Sequence, residues 1–245
     1  MKILVAALIK NEAERFLPSA LKAWGSFADK ILILDDNSED ESVFIAQAAG
    51  AEVVSRNVTI DAWGAESSAR EHLWLEAVKR TEIGDYIFIL DADMTPVKNP
   101  VKLLEGEPSA IAFPLFDLWA EYSDGMLMYR EDGLWQYGLS HPRIWMARRE
   151  EEPLDGWKFN TRGVHCGHLP VNLDYDNIIF APQDYGLLHY AYLDSELRNG
   201  KFKQYYDVKE QLDERERAHA QSILDQNPKM KVLEFEPELR LRKVK

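Results

Sequence analysis

Along the first 115 residues the hydrophobic pattern alternates between continuous apolar runs, which buried strands produce, and a period near 3.6, which helices produce. Residues 3 to 9, Ile-Leu-Val-Ala-Ala-Leu-Ile, predict a core strand. Asn11 then offers a cap for a helix carrying Phe16, Leu17, Ala20, Leu21 and Trp24, with Pro18 within its first two turns. Residues 30 to 34 predict a second strand ending at Asp35-Asp36-Asn37-Ser38, and Ser38 offers a cap for a helix that stops at Gly50. A short strand over 52 to 55 and an amphipathic helix over 66 to 80 follow, with Ala69, Leu73, Ala77 and Val78 on one face. Residues 86 to 90 and 110 to 116 supply a fourth and a fifth strand. Repeated βα units with right-handed crossovers predict an α/β, Rossmann-like fold whose sheet is mainly parallel and flanked by helices.

After residue 116 the periodicity fades and aromatic residues accumulate, among them Trp119, Trp135, Tyr137, Trp145 and Trp157. They suggest apolar platforms for sugar faces, or an ordinary core beneath long loops. Residues 196 to 220 predict one charged helix, ended by Asn227-Pro228.

The fourth strand, Tyr86-Ile87-Phe88-Ile89-Leu90, runs straight into Asp91-Ala92-Asp93. A side-chain period of two puts both carboxylates on one side, where each raises the other's ionisation cost unless a cation lies between them. Ligands of open α/β sheets bind outside the carboxyl ends of the strands, and Mg2+ or Mn2+ is typically held there by one or two carboxylates plus substrate phosphates. A plain surface turn is the competing reading. Lys10-Asn11-Glu12 and Asp35-Asp36 end neighbouring strands, so acidic groups from three strands converge on one crevice. Asp36 and Glu12 suit hydrogen bonds from a base and a ribose. Arg70, at the exposed start of the helix from 66, can act as a phosphate cation, as a clamp for the acidic groups, or as a simple surface arginine.

Composition narrows the partners. A net charge of −13 argues against nonspecific nucleic-acid binding, which needs a basic face. No apolar run approaches the roughly 20 residues of a transmembrane helix, and the opening apolar run is followed at once by Lys10-Asn11-Glu12, unlike a signal peptide. Cys166 is the sole cysteine and fits a reducing, cytoplasmic compartment. The basic tail with Arg240, Arg242, Lys243 and Lys245 could touch an anionic membrane surface or simply be solvated.

Four pieces together, Asn11 to Leu17, Leu34 to Ser42, Ser67-Ser68-Ala69-Arg70 and Asp91-Ala92-Asp93, resemble family 2 glycosyltransferases of the GT-A fold in order and approximate spacing. The resemblance covers about residues 1 to 115 and implies a nucleotide-sugar donor (UDP foremost, GDP or dTDP possible), a glycan or other hydroxyl acceptor, Mn2+ or Mg2+, and inversion at the anomeric carbon. By position, Asp36 is similar to the base-binding acid, Glu12 lines the nucleotide pocket, Asp91 serves the sugar and ribose side, and Asp93 is the chief metal ligand. Asn37 stands where the family commonly has Gly, and Asn tolerates left-handed geometry. On this resemblance the chain divides into a donor half (1–115), an acceptor-side and metal-completing region (116–195) and a C-terminal helix and tail (196–245) within one continuous domain.

GT-A enzymes often complete the metal shell with a later His, and His189 in Leu187-Leu188-His189-Tyr190 is the candidate here; as an imidazole it favours Mn2+ over Mg2+. A core His bonded to the backbone is the alternative. His165-Cys166-Gly167-His168 holds too few donors for structural zinc and reads better as a rim loop, while Arg143 in His141-Pro142-Arg143 could bind phosphate or be a surface arginine after a turn. An inverting transfer needs a general base, for which Asp155, beside Trp157, is preferred over Asp117, Glu121 and Asp184, because an adjacent aromatic would raise its pKa. A sugar nucleotidyltransferase would carry a Gly-rich basic loop after the first strand, absent from Ala6-Ala7-Leu8-Ile9-Lys10-Asn11. A non-catalytic carbohydrate- or nucleotide-binding module would not need Asp36, Asp91 and Asp93 together.

Overall fold

The computed structural model describes residues 1–56, 66–160, 167–173 and 175–244. The donor half follows the pattern read above: β1 (Ile3–Ile9), α1 (Leu17–Trp24), β2 (Lys30–Asp35), α2 (Ser42–Ala48), β3 (Glu52–Ser55), α3 (Glu66–Val78), β4 (Tyr86–Ile89), β5 (Met94–Pro96) and β6 (Ala110–Phe113). Strand β1 lies between β2 and β4, parallel to both, and is buried on both faces. Its alternation is visible in the packing. Ile3, Val5, Ala7 and Ile9 join Phe16, Leu17 and Trp24 of the α1 layer, while Leu4 and Ala6 meet Leu73, Trp74 and Ala77 of α3.

Two of the expected helix starts lie elsewhere. Helix α1 begins after Phe16 with Pro18 in its first turn, and α2 begins after Glu41; neither has a side-chain cap. Asn11 and Ser38, expected as caps, instead bond to each other's loops. The expected strand over 110 to 116 also divides: Pro114, which has no N–H for a ladder, separates β6 from β7 (Leu115–Glu121), and β7 enters a second sheet.

The aromatic region is more regular than its sequence suggests, with β8 (Leu127–Arg130), α4 (Tyr137–Ser140), β9 (Arg143–Arg148), β10 (Ile178–Phe180), β11 (Leu187–His189), α5 (Ser195–Asp207), α6 (Glu214–Ser222) and β12 (Met230–Val232). The larger sheet has the order β10-β6-β9-β4-β1-β2-β3, and β9 is its antiparallel member. The smaller sheet has the order β12-β8-β7-β11-β5. This mixed, mainly parallel sheet flanked by helices is the architecture expected from the sequence. Most of the aromatic residues are core: Phe116, Trp119 and Tyr129 are buried, and Trp157 packs edge-on against Trp74. The single helix expected over 196 to 220 is two. A 3-10 turn at Lys209–Gln211 ends the first, and Asp213 with Glu216 forms a capping box that starts the second.

The basic tail is bound to the fold over residues 240–244. Leu241 is 3% exposed, and its N–H donates to the Tyr190 hydroxyl. Arg242 exchanges bonds with Ser19, and the Val244 N–H reaches the Arg15 carbonyl. Arg240 pairs with Glu236 and Lys243 with Glu196, so these two charges are met within the fold, and nothing in the structure supports the peripheral membrane contact. Among the described residues, no helix is long and apolar enough to cross a membrane. A solvated tail would lose nothing on truncation of Leu241, whereas this packing predicts that Leu241→Ala costs about 2–5 kcal/mol in urea unfolding.

Candidate active site

The carboxyl ends of β1 and β2 are laced together by the residues that carried the resemblance. Asn11 and Asn37 both adopt left-handed backbone, at φ 53° and 59°. The Asn11 N–H donates to Ser38 Oγ at 3.0 Å, and the Glu39 N–H returns to Asn11 Oδ1 at 2.8 Å. The N–H of Glu12 reaches Ser42 Oγ at 2.7 Å, and that of Ala13 reaches Asp40 at 3.0 Å. These bonds hold the Glu12 loop against the Asp36 loop.

Glu12, Asp36, Asp91 and Asp93 each have a basic side chain beside them. Asp36, 1% exposed, pairs with Arg56 Nη1 at 2.7 Å; Arg56 Nη2 also donates to Ser68 Oγ at 2.9 Å. The sequence analysis missed Arg56, whose only signal is its place just past the end of β3. Glu12 accepts from Arg15 Nη1 at 2.7 Å, yet its Oε2 is buried without a hydrogen-bond partner. Burial pushes the Glu12 carboxyl up to about 7 against the pull of Arg15, and Asp93 and Asp91 add to the rise.

Asp91 and Asp93 have different basic side chains beside them. Strand β4 ends at Ile89, and a turn follows in which the Met94 N–H bonds to the Asp91 carbonyl, so the period-two argument no longer applies. Arg70 Nη2 meets Asp91 Oδ1 at 2.9 Å, and His168 Nε2 stands 3.8 Å from Oδ2. Burial alone would raise the Asp91 carboxyl, but Arg70 and His168 outweigh it and hold it well below the usual carboxylate range. Arg70 itself is 6% exposed and bridges Glu66 to Asp91, which corrects the expected exposed position to the clamp. Asp93 faces His189 instead: Nε2 lies 3.7 Å from its Oδ1.

The register of the smaller sheet puts His189 there. It stands opposite Met94 of β5 on one side and Asp117 of β7 on the other. Its Nδ1 bonds to Asp117 Oδ1 at 2.6 Å, which fixes the ring and turns Nε2 toward Asp93. Among the described residues, no three His, Cys, Asp or Glu side chains are grouped to hold a metal unaided. An oxygen and an imidazole nitrogen held this close suit a divalent ion whose remaining ligands come from substrate phosphates.

A cavity of about 610 Å³ is lined by Asp91, Asp117, His168 and His189 together with Trp135, Tyr137 and Trp145, while Asp93 lies behind His189 outside that lining. Lys201 of α5, which the sequence reading did not single out, also lines it. Asp155 does not fit the expected base. Its side chain is 61% exposed and pairs with Lys158, which holds its carboxyl below the usual range, whereas burial had been expected to raise it. Asp184 pairs with Lys98 and Glu121 lies near Arg240. Of the four proposed carboxylates, Asp117 lines the cavity. His165 and Cys166 lie outside the described residues.

The Glu12 carboxyl has a stability consequence. Between the ordinary value of 4.5 and about 7 the folded protein keeps a proton that the unfolded chain has released, so stability falls as pH rises through that window. Glu12→Gln is therefore expected to be more stable than the wild type at pH 8, by about 1–3 kcal/mol, with the difference fading toward pH 4.5. Urea unfolding at both pH values measures it.

No protein-family model matches the chain. A stretch of 95 residues, 38% of this chain and 31% of the other, is 30% identical to the glucosyl-3-phosphoglycerate synthase of Mycolicibacterium smegmatis. Crystal structures of glucosyl-3-phosphoglycerate synthase from Mycobacterium tuberculosis share 25% identity over 47% of this chain. One, with phosphoglyceric acid, has a TM-score of 0.35 and is covered over 44% of its length; another, with Mn2+, UDP and glucosyl-3-phosphoglycerate, has a TM-score of 0.34 and the same coverage. The chain thus spans under half the length of the relatives it matches.

Proposed function

We propose that this protein is a metal-dependent glycosyltransferase that moves a hexosyl group from a nucleotide-sugar donor to a hydroxyl acceptor. UDP is the carrier put first, ahead of GDP and dTDP. The observation that carries the reading is His189, which lines a ligand-sized cavity, is held by Asp117 and is turned toward Asp93. The 95-residue similarity to a glucosyl-3-phosphoglycerate synthase supports the same reaction class.

In this reading Asp93 and His189 hold Mn2+ or Mg2+, Mn2+ being favoured by the imidazole. The bound ion would act as a Lewis acid for charge that develops on the leaving diphosphate. Asp36 and Glu12 line the nucleotide side, and Arg70 fixes Asp91 toward the donor sugar and ribose. The acceptor proton goes to Asp117, which replaces Asp155 in this role: a carboxylate that holds an imidazole with one oxygen keeps lone pairs for a hydroxyl. Inversion, implied by the resemblance, demands such a base on the face opposite the diphosphate.

Differential scanning fluorimetry tests the donor site. UDP is expected to raise the melting temperature with Mn2+ but not in chelator, and Asp93→Ala to abolish the shift; an equal shift in chelator would sink the metal reading. In steady-state assays with a UDP-sugar, Asp117→Asn should lower kcat by about 100-fold or more. Asp155→Ala should leave kcat within about twofold, because an exposed ion pair contributes little.

A further inference from the structure

The groups assigned to the nucleotide and to the metal come from elements far apart in the chain, yet residues 241–244 bond to the neighbours of both. The Leu241 N–H donates to the Tyr190 hydroxyl at 3.2 Å. The Arg242 N–H donates to Ser19 Oγ of α1 at 2.9 Å, and that hydroxyl also lies 3.0 Å from the Arg242 carbonyl and 2.9 Å from the Phe16 carbonyl. Lys243 pairs with Glu196 at 2.5 Å and stands 3.9 Å from Asp194, while the Val244 N–H donates to the Arg15 carbonyl at 3.0 Å.

Each of these contacts lies one step from the candidate site. Tyr190 follows His189 directly, and its own N–H donates to the Asp93 carbonyl at 2.9 Å, so it is tied to both metal-side residues. Its ring is 1% exposed and meets Phe16 at 5.4 Å, where the loop that carries Glu12 enters α1. Arg15 is the residue that pairs with Glu12. Asp194 caps α5 by accepting from the Leu197 N–H at 2.8 Å, and α5 carries Lys201 to the cavity.

A nucleoside diphosphate has to meet the Glu12 loop with its base and ribose and the Asp93–His189 pair through the ion. Freedom in the spacing of these two must be lost on binding, which weakens affinity. We propose that residues 241–244 are a positioning strap, which fixes the Glu12 loop relative to the Asp93–His189 pair before the donor arrives. The inference rests on the glycosyltransferase reading above. None of the four residues lines the cavity, so they act through Arg15, Ser19 and Tyr190.

Ser19→Ala combined with Tyr190→Phe loosens the strap without altering any side chain that lines the cavity. The test is isothermal titration of the whole protein with UDP at saturating Mn2+, well below each melting temperature, together with steady-state assays using a UDP-sugar. The double variant is expected to bind UDP at least about tenfold more weakly and to raise the donor KM in step, with kcat within about twofold, because the bound state regains its geometry. Ser19→Thr keeps the hydroxyl and should bind within about twofold of the wild type. The proposal is overturned if the double variant melts lower yet binds UDP as the wild type does, since the tail is then a stabilising contact only. It is equally overturned if kcat falls while the donor KM holds, or if Ser19→Thr binds as weakly as the double variant. The wild type separates the two levels: UDP binding that survives in the double variant removes the strap alone, while a wild type that binds no UDP removes the donor reading and the strap with it.

Discussion

Charge compensation at the carboxyl edge of three adjacent strands governs this structure. Glu12, Asp36, Asp91 and Asp93 sit close enough together that Asp93 and Asp91 both help to raise Glu12. Left alone, four carboxylates would repel one another at the mouth of a low-dielectric sheet. The fold answers with at least one basic side chain each, the nearest drawn from different elements: Arg15 from the loop after β1, Arg56 from the end of β3, Arg70 from α3 and His189 from β11. Three of those answers are arginines, which stay charged at any working pH. The fourth is an imidazole, the one group among them able to exchange its proton for a metal ion. The position where the compensation is adjustable is thus the position assigned to the metal.

That arrangement explains which parts of the molecule could be read from the chain. Strands β1, β2 and β4 are continuous apolar runs buried on both faces, and their ends carry acids, so both the layer and the crevice were legible. His189 was also legible, as a His in an apolar strand. The compensating arginines were less so. An arginine after a strand or at a helix start looks the same in sequence whether it is solvated or clamped, and the difference depends on which loops fold against it. For that reason Arg56 gives no signal in the sequence, and Arg70 stays open there between phosphate cation, clamp and surface arginine. Asp155 failed similarly, because adjacency to Trp157 in sequence did not become burial: the ring turned to Trp74 and the carboxylate turned to Lys158.

The acceptor side was obscure for a different reason. Its strands are three to seven residues long, and their partners are far away in sequence, as when β11 pairs β5 and β7. Short strands with long-range partners leave little local periodicity. Yet this smaller sheet does what the larger one cannot. It carries His189 and Asp117 on neighbouring strands in register, so the nitrogen turned toward Asp93 and the group that orients it are fixed by backbone pairing, not by flexible loops.

The position of β9 has a consequence for how the molecule comes into being. Strand β9 lies between β4 and β6, although it follows them in the chain, and β6 has β9 and β10 as its neighbours. While the chain is being made, β4 therefore waits with one open, apolar edge, and β6 waits with no strand beside it, until residues 143–148 leave the ribosome. Unpaired edges of this kind are templates for pairing with other chains. A fragment cut near residue 115 would contain nearly every residue that resembles a donor site and would still be a sheet with its middle missing, prone to stick to its own copies.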